Sequence, residues 1–190
     1  MNKDILLCGL GGQGIVLASK IIANTAAAEG EIVHSAETIG MAQKGGSVTS
    51  HVRIGESFSP LIPLNSADIL IAFEISEAVR NIDYLKSDGV AVVNKLSAAS
   101  VIAGSEKSES DLKKMIDFLD ANCNCIFADL KEIESEKFLN VAMLGVLAST
   151  NKLGFSKESI LEEIRKNVPQ KSLDSNIKAY EMGLVAGGIK

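Results

Sequence analysis

Near the start of the chain, Gly9-Leu10-Gly11-Gly12-Gln13-Gly14 carries the most legible chemistry. An apolar run, Ile5-Leu6-Leu7-Cys8, leads straight into these glycines, and a helical pattern follows from Ile15. A strand, a glycine turn and a helix leave backbone N–H groups pointing outward at the helix N-terminus. Such a turn can hold a phosphate or another anion without a dedicated side chain. Gly9, Gly11 and Gly14 also fit the spacing G-x-G-x-x-G of dinucleotide sites. That spacing alone does not separate a dinucleotide from another anion, or from glycines kept for tight helix–strand packing.

A second glycine-rich stretch lies downstream, Gly40-Met41-Ala42-Gln43-Lys44-Gly45-Gly46-Ser47. Gly45 and Gly46 let backbone N–H groups approach a ligand closely. Lys44 adds a positive charge beside them, and Gln43 and Ser47 add hydrogen-bonding groups. A hairpin-like connection with a solvated lysine explains the same composition, and both readings stay open. In the alternating segment after it, Thr49, His51 and Arg53 share one face and Val48, Ser50, Val52 and Ile54 the other. No general base or nucleophile is assigned. Of the three cysteines, Cys8 reads as a buried small hydrophobe. Cys123 and Cys125 are too close for an ordinary disulfide, and no further cysteines complete a cluster or zinc site. The pattern is that of a reduced, cytoplasmic protein.

These residues need a scaffold, and the hydrophobic pattern supplies one. A helix over residues 15–29 stops at Gly30, and Ile32-Val33-His34 reads as a second strand in a βαβ unit. A dinucleotide fold wants an acid at the end of that strand to hold a ribose. Here the strand ends His34-Ser35-Ala36, and Glu37 arrives late for the role. Residues 67–73 read as a buried strand, 74–85 as a helix, and Asp88-Gly89 as a turn into the strand 90–94. After a polar loop at 95–110 come a helix over 111–122, a strand at 125–128 and a helix over 138–150. This last helix is apolar all round, so burial is expected, partly against another chain. Gly145 within it points to a close helix contact. Ser156 is placed to cap a helix over 157–167, and a final helix over 173–185 precedes Gly187-Gly188. Strands alternating with helices predict an α/β fold: three layers, α/β/α, with a Rossmann-like, mostly parallel sheet. Sites in such sheets sit beyond the strand C-termini, where the glycine turn, Glu74 and Asn94 all fall.

Composition agrees. The 190 residues suit one domain, with 46% apolar, 23% charged and only 4% aromatic residues, so small aliphatic side chains must build the core. A net charge of −5 with no basic block disfavours nucleic-acid binding. No apolar run is long enough to span a bilayer and no signal peptide is legible, so no membrane partner is expected.

Taken together and in order, the glycine turn, residues 40–48, Ser50-His51-Val52-Arg53-Ile54-Gly55 and Ser59-Pro60-Leu61-Ile62-Pro63 resemble the gamma-type subunit of 2-oxoacid:ferredoxin oxidoreductases. Within that family the chain is most similar to the beta subunit of indolepyruvate ferredoxin oxidoreductase. The resemblance extends through Ala67-Asp68, residues 140–147, Val168-Pro169-Gln170-Lys171 and residues 176–183, so residues 1–190 form one gamma-type domain. It implies a share in an enzyme that decarboxylates a 2-oxoacid on thiamine diphosphate, passes electrons through [4Fe-4S] clusters to ferredoxin and releases an acyl-CoA. In the family the thiamine and the clusters belong to partner chains, and this chain is inactive alone. Gly9, Gly11, Gly12, Gln13 and Gly14 would then form an anion cradle, with coenzyme A as a candidate ligand. Gln43, Lys44, Gly45, Gly46 and Ser47 would form its second wall or the contact with the thiamine-bearing chain. A free-standing nucleotide-binding protein, monomer or homodimer, and a purely structural subunit are the alternatives.

Overall fold

A computed structural model describes residues 1–40, 45–95 and 109–187. Six strands form one sheet: β1 (Lys3–Leu10), β2 (Val33–Ile39), β3 (Ser47–Ile54), β4 (Ala67–Ala72), β5 (Leu85–Asn94) and β6 (Asn124–Ala128). Their spatial order is β2-β3-β1-β4-β5-β6. The pairs β1–β4, β4–β5 and β5–β6 are parallel, while β3 runs against both β1 and β2. The sheet is therefore mostly parallel with one opposed strand. Among the described residues, six α-helices flank it: α1 (Ile15–Ala28), α2 (Ile75–Asn81), α3 (Glu109–Asn122), α4 (Leu139–Ser149), α5 (Lys157–Asn167) and α6 (Leu173–Gly187).

Alternation along the strands divides the core in two. Ile5, Leu7, Ile69, Ile71, Val90 and Val92 face a layer made by α1, α4, α5 and α6. Leu6, Cys8, Leu70, Ala72, Ala91 and Val93 face α2, α3 and Ile62. Each fully buried Leu or Ile contributes roughly 1.5–3 kcal/mol relative to exposure. On β3, Val48, Val52 and Ile54 join the first core. His51 turns to the other face, where Nδ1 accepts a hydrogen bond from Ile62 N at 3.1 Å.

The fold departs from the sequence-based expectations at several points. β2 does not stop at Ala36. It runs on to Ile39 because it pairs with β3 along its whole length, from Val33 opposite Ile54 to Ile39 opposite Val48. β2 is thus half of a hairpin, and β3 separates it from β1. Residues 85–89 belong to β5 as well. Strand pairing resumes across an irregularity in which Ala67 faces Leu85 and Ile69 faces Val90, so Asp88-Gly89 lies inside a bulged strand rather than in a turn before it. The helix starting at Ile75 gives way at Ile82 to a single tight turn, Ile82–Tyr84. Most of the predicted loop at 95–110, and Gly188, lie outside the described residues.

Covering the apolar α4 needs no second chain. Its residues from Leu139 to Ala148 are all buried within this chain. Gly145 and Gly183 make this close packing with α6 possible. A Cβ on Gly145 would collide with the Tyr180 carbonyl, and one on Gly183 with the Ala142 carbonyl. The ends of α1 and α5 follow their predicted caps: Gly30 takes φ 82° behind α1, and Ser156 Oγ accepts from Ser159 N at 2.9 Å at the start of α5.

Candidate functional site

The glycine turn lies between the end of β1 and the start of α1. Gly14 is the N-cap of α1 at φ 76° and has no side chain with which to cap it. Gly12 also takes a left-handed φ, 98°. The four glycines divide by what surrounds them. A Cβ on Gly9 would come within 2.6 Å of Gln13 Oε1 and 2.9 Å of Phe73 Cβ. One on Gly14 would come within 2.5 Å of Asn140 Nδ2. Both positions serve packing. Among the described residues, a Cβ on Gly12 would meet nothing within 4 Å, and one on Gly11 would meet the Gly45–Gly46 backbone, at 3.7 Å or more. The open side of the turn is therefore at Gly11 and Gly12.

Gln13 folds back across the turn, its Oε1 accepting from Leu10 N at 2.7 Å. Its Nε2 is buried and has no hydrogen-bond partner among the described residues. A buried donor left unpaired costs about 1–3 kcal/mol, so an acceptor supplied from outside the chain suits this position. No acidic residue occupies the first turn of α1, which leaves the positive end of its dipole unopposed from within that turn.

Gly45 to Ser47, at the β3 side of the hairpin β2–β3, come to the same place. Gly40 N donates to Ser47 O at 2.9 Å across its base, and Gly11 N donates to Gly46 O at 2.8 Å. Gly45, at φ 68°, and Gly46 thus stand against the glycine turn. Within this stretch, Gly45 and Gly46 are the described residues that adjoin the turn. Gln43 and Lys44 lie outside the described residues.

Further side-chain hydrogen bonds hold this corner together. Ser47 Oγ donates to Glu77 Oε2 at 2.6 Å, and Arg80 Nη1 donates to Glu77 Oε1 at 2.8 Å. The Glu77 side chain is only 1% exposed. Asn140, at the start of α4, donates through Nδ2 to Gly14 O at 3.4 Å. Asn94, at the end of β5, donates to Phe73 O at 3.2 Å. Glu77 escaped the sequence reading because it falls on the polar side of α2. Its place three residues before Arg80 was the available signal. Cys8 is fully buried beside this corner, and burial, then the Glu77 charge, push its thiol up. It stays protonated and serves as packing. A cavity of about 710 Å³ lies elsewhere, between Asp129–Glu132 and α6. Leu130, Met182, Val185 and Ala186 line it, and it gathers none of the residues of the turn.

The topology also bears on the ligand class. With β3 inserted beside β1, the end of β2 is two strands from the glycine turn. Glu37 sits opposite Ser50 within the hairpin and is exposed. Glu37 is therefore not placed to hold a ribose beside the glycine turn.

Comparison with known proteins follows the same line. The chain is 38% identical to indolepyruvate oxidoreductase subunit IorB of Archaeoglobus fulgidus, over 96% of this chain and 94% of that one. Its fold matches pyruvate oxidoreductase subunit PORC of Thermotoga maritima with a TM-score of 0.72 at 23% identity, covering 97% of this chain and 96% of the other. It also matches 2-oxoglutarate:ferredoxin oxidoreductase of Magnetococcus marinus, solved with 2-oxoglutarate, coenzyme A and succinyl-CoA bound, with a TM-score of 0.67 at 21% identity. That match covers 98% of this chain and 31% of the other. Residues 4–186 match the family described as pyruvate ferredoxin/flavodoxin oxidoreductase, and the chain belongs to that family.

Proposed function

We propose that this chain is the gamma-type subunit of a 2-oxoacid:ferredoxin oxidoreductase, acting as one domain on an arylpyruvate such as indolepyruvate. The substrate class rests on the IorB relative, 38% identical along almost the whole chain. Partner chains carry the thiamine diphosphate and the [4Fe-4S] clusters and deliver electrons to ferredoxin, and the assembly is cytoplasmic. Cys8 lies in β1 and Cys123 and Cys125 lie at β6, so the three thiols do not converge.

The observation that carries a ligand-holding role is the unpartnered Gln13 Nε2 beside the open face of Gly11 and Gly12. Coenzyme A fits this donor set, because its phosphates and carbonyls are acceptors, and when bound it supplies the thiol that takes up the acyl group. Gln13 Nε2 and the N–H groups at the start of α1 would bind such an acceptor. Gly45 and Gly46, fixed by the bond from Gly11 N, would limit water on one side. Ser47, Glu77 and Arg80 would hold that wall in place. A packing role is favoured for Gly9 and Gly14, whose missing side chains admit Gln13, Phe73 and Asn140.

The test is co-expression with the candidate thiamine/iron–sulfur chain, purification without oxygen, and an assay of CoA-dependent ferredoxin or viologen reduction with a panel of 2-oxoacids. Activity that needs both chains and prefers indolepyruvate or phenylpyruvate supports the reading. Preference for pyruvate or 2-oxoglutarate would overturn the substrate class alone. A stable but inactive complex would leave a structural role, and oxoacid-dependent reduction by this chain without a partner would contradict the division of labour.

A further inference from the structure

At the other end of the sheet, Cys123 ends the turn after α3 and Cys125 lies in β6, where it pairs with Ala91. Their sulfurs are 3.8 Å apart, and both side chains are partly exposed. Cys123 also lines a polar cavity of about 260 Å³ together with Asn65, Asp83, Lys86 and Asn122, whereas Cys125 does not line it. We propose that Cys123 and Cys125 form a thiol–disulfide exchange site for small hydrophilic disulfides, with Cys123 attacking and Cys125 resolving. The site uses none of the residues of the glycine turn and does not rest on the function proposed above.

The geometry assigns the order. An incoming disulfide enters through the cavity and meets Cys123 first. The Cys123 thiolate attacks one sulfur, a mixed disulfide forms, and one low-molecular-weight thiolate leaves. Cys125 then gives up its proton to that leaving group, and its sulfur attacks Cys123 Sγ, expelling the second thiolate. Two protein thiols are oxidised to one disulfide, and one small disulfide is reduced to two thiols. Closing the pair means shortening 3.8 Å to an S–S bond of about 2.0 Å. With a single residue between the cysteines the ring is strained, so an excess of small thiol reopens it. The hydrogen bond shared with Cys125 lowers the Cys123 thiol below its usual value, against the opposing effects of burial and the Asp120 carboxylate. Cys125 is correspondingly pushed up. In the neutral pair Cys123 also donates to the Leu119 carbonyl at 3.3 Å.

The test uses the full chain, reduced and freed of reductant without oxygen, then mixed with oxidised glutathione and followed by intact mass and peptide mapping. The wild-type chain should become lighter by two hydrogens, with no lasting adduct. Cys125→Ser should accumulate a single glutathione adduct at Cys123, and Cys123→Ser should react about tenfold more slowly or less. Cys8, fully buried, should stay unmodified until the chain is denatured. A lasting mixed disulfide on the wild type, no reaction at all, or an adduct on Cys125 at the wild-type rate in Cys123→Ser would each overturn the proposal. Circular dichroism of both variants separates loss of reactivity from loss of fold.

Discussion

Gln13 and His51 show how single side chains set what this chain can bind and tolerate. Gln13 uses its oxygen on Leu10 N and leaves its nitrogen unpaired. Gln13→Glu keeps the acceptor and removes the donor. If coenzyme A meets that donor, its affinity in the assembled enzyme should fall by more than about tenfold, one net hydrogen bond plus the repulsion between the new carboxylate and the ligand's acceptors. The melting temperature of the chain should fall, because the new carboxylate oxygen replaces a buried atom and has no partner there. Calorimetric titration of the assembled enzyme reads the first and a thermal melt the second, and unchanged affinity would remove Gln13 from the site. His51 accepts from Ile62 N and packs edge-on against Tyr84, with ring centroids 5.8 Å apart. Burial, and then Arg53, lower its pKa from the usual 6.5. The unfolded chain therefore binds a proton that the folded chain resists. Stability from this residue is fully present above about 6.5 and is lost as pH falls from there through the lower, folded value. Urea melts between pH 7.5 and about 5 should show that loss, and His51→Phe should flatten that part of the profile. A wild-type profile unchanged by the substitution would assign the acid sensitivity to other groups.

Among the elements, those read from strong periodicity agree with the structure, and those governed by partners do not. α1, α3, α5 and β4 could be read locally, because each carries its own apolar stripe or run. β2 could not. Glu37, Thr38 and Ile39 are exposed and polar or isolated in sequence, and only the ladder to β3 makes them strand. The same ladder carries Gly45 and Gly46 to the glycine turn, a contact between residues 11 and 46 that no local pattern reports. The turn itself was legible through its glycines. What the sequence could not divide was their work: Gly9 and Gly14 accommodate neighbours, while Gly11 and Gly12 stay open. Gly145 was legible as a helix contact, although its partner was not. A Cβ there meets Tyr180 O, so Gly145→Ala must push α6 away from α4. That overpacking should cost about 2–3 kcal/mol or more. Gly12→Ala has room and only a left-handed backbone to strain, so about 1–2 kcal/mol is expected. Urea denaturation of both variants gives the comparison, and an equal cost would mean that α6 shifts freely.

At the scale of the whole molecule the two faces of the sheet are unequal. α4 buries its residues from Leu139 to Ala148, wrapped by the sheet and by α6. α3 is as long as α1, yet only Leu119 among its residues is fully buried, with Leu112, Met115 and Ile116 packed partly against the second core. Little apolar surface therefore opposes the opening of α3, while opening α4 exposes the main core. Native-state hydrogen exchange should find α3 amides exchanging through a smaller opening, with a lower free energy and a weaker denaturant dependence than α4 amides. Leu144→Ala separates the two events. Leu144 is 1% exposed, and its loss should lower the free energy of α4 exchange by about 2–5 kcal/mol. It should leave α3 exchange unchanged, because Leu144 stays packed when α3 alone opens. A single shared isotherm for both helices, shifted together by Leu144→Ala, would show the two faces unfolding as one unit. Independent opening would instead place the Cys123–Cys125 pair, which follows α3 directly, on the part of the molecule most readily exposed to small reactants, with the glycine turn on the part that stays closed.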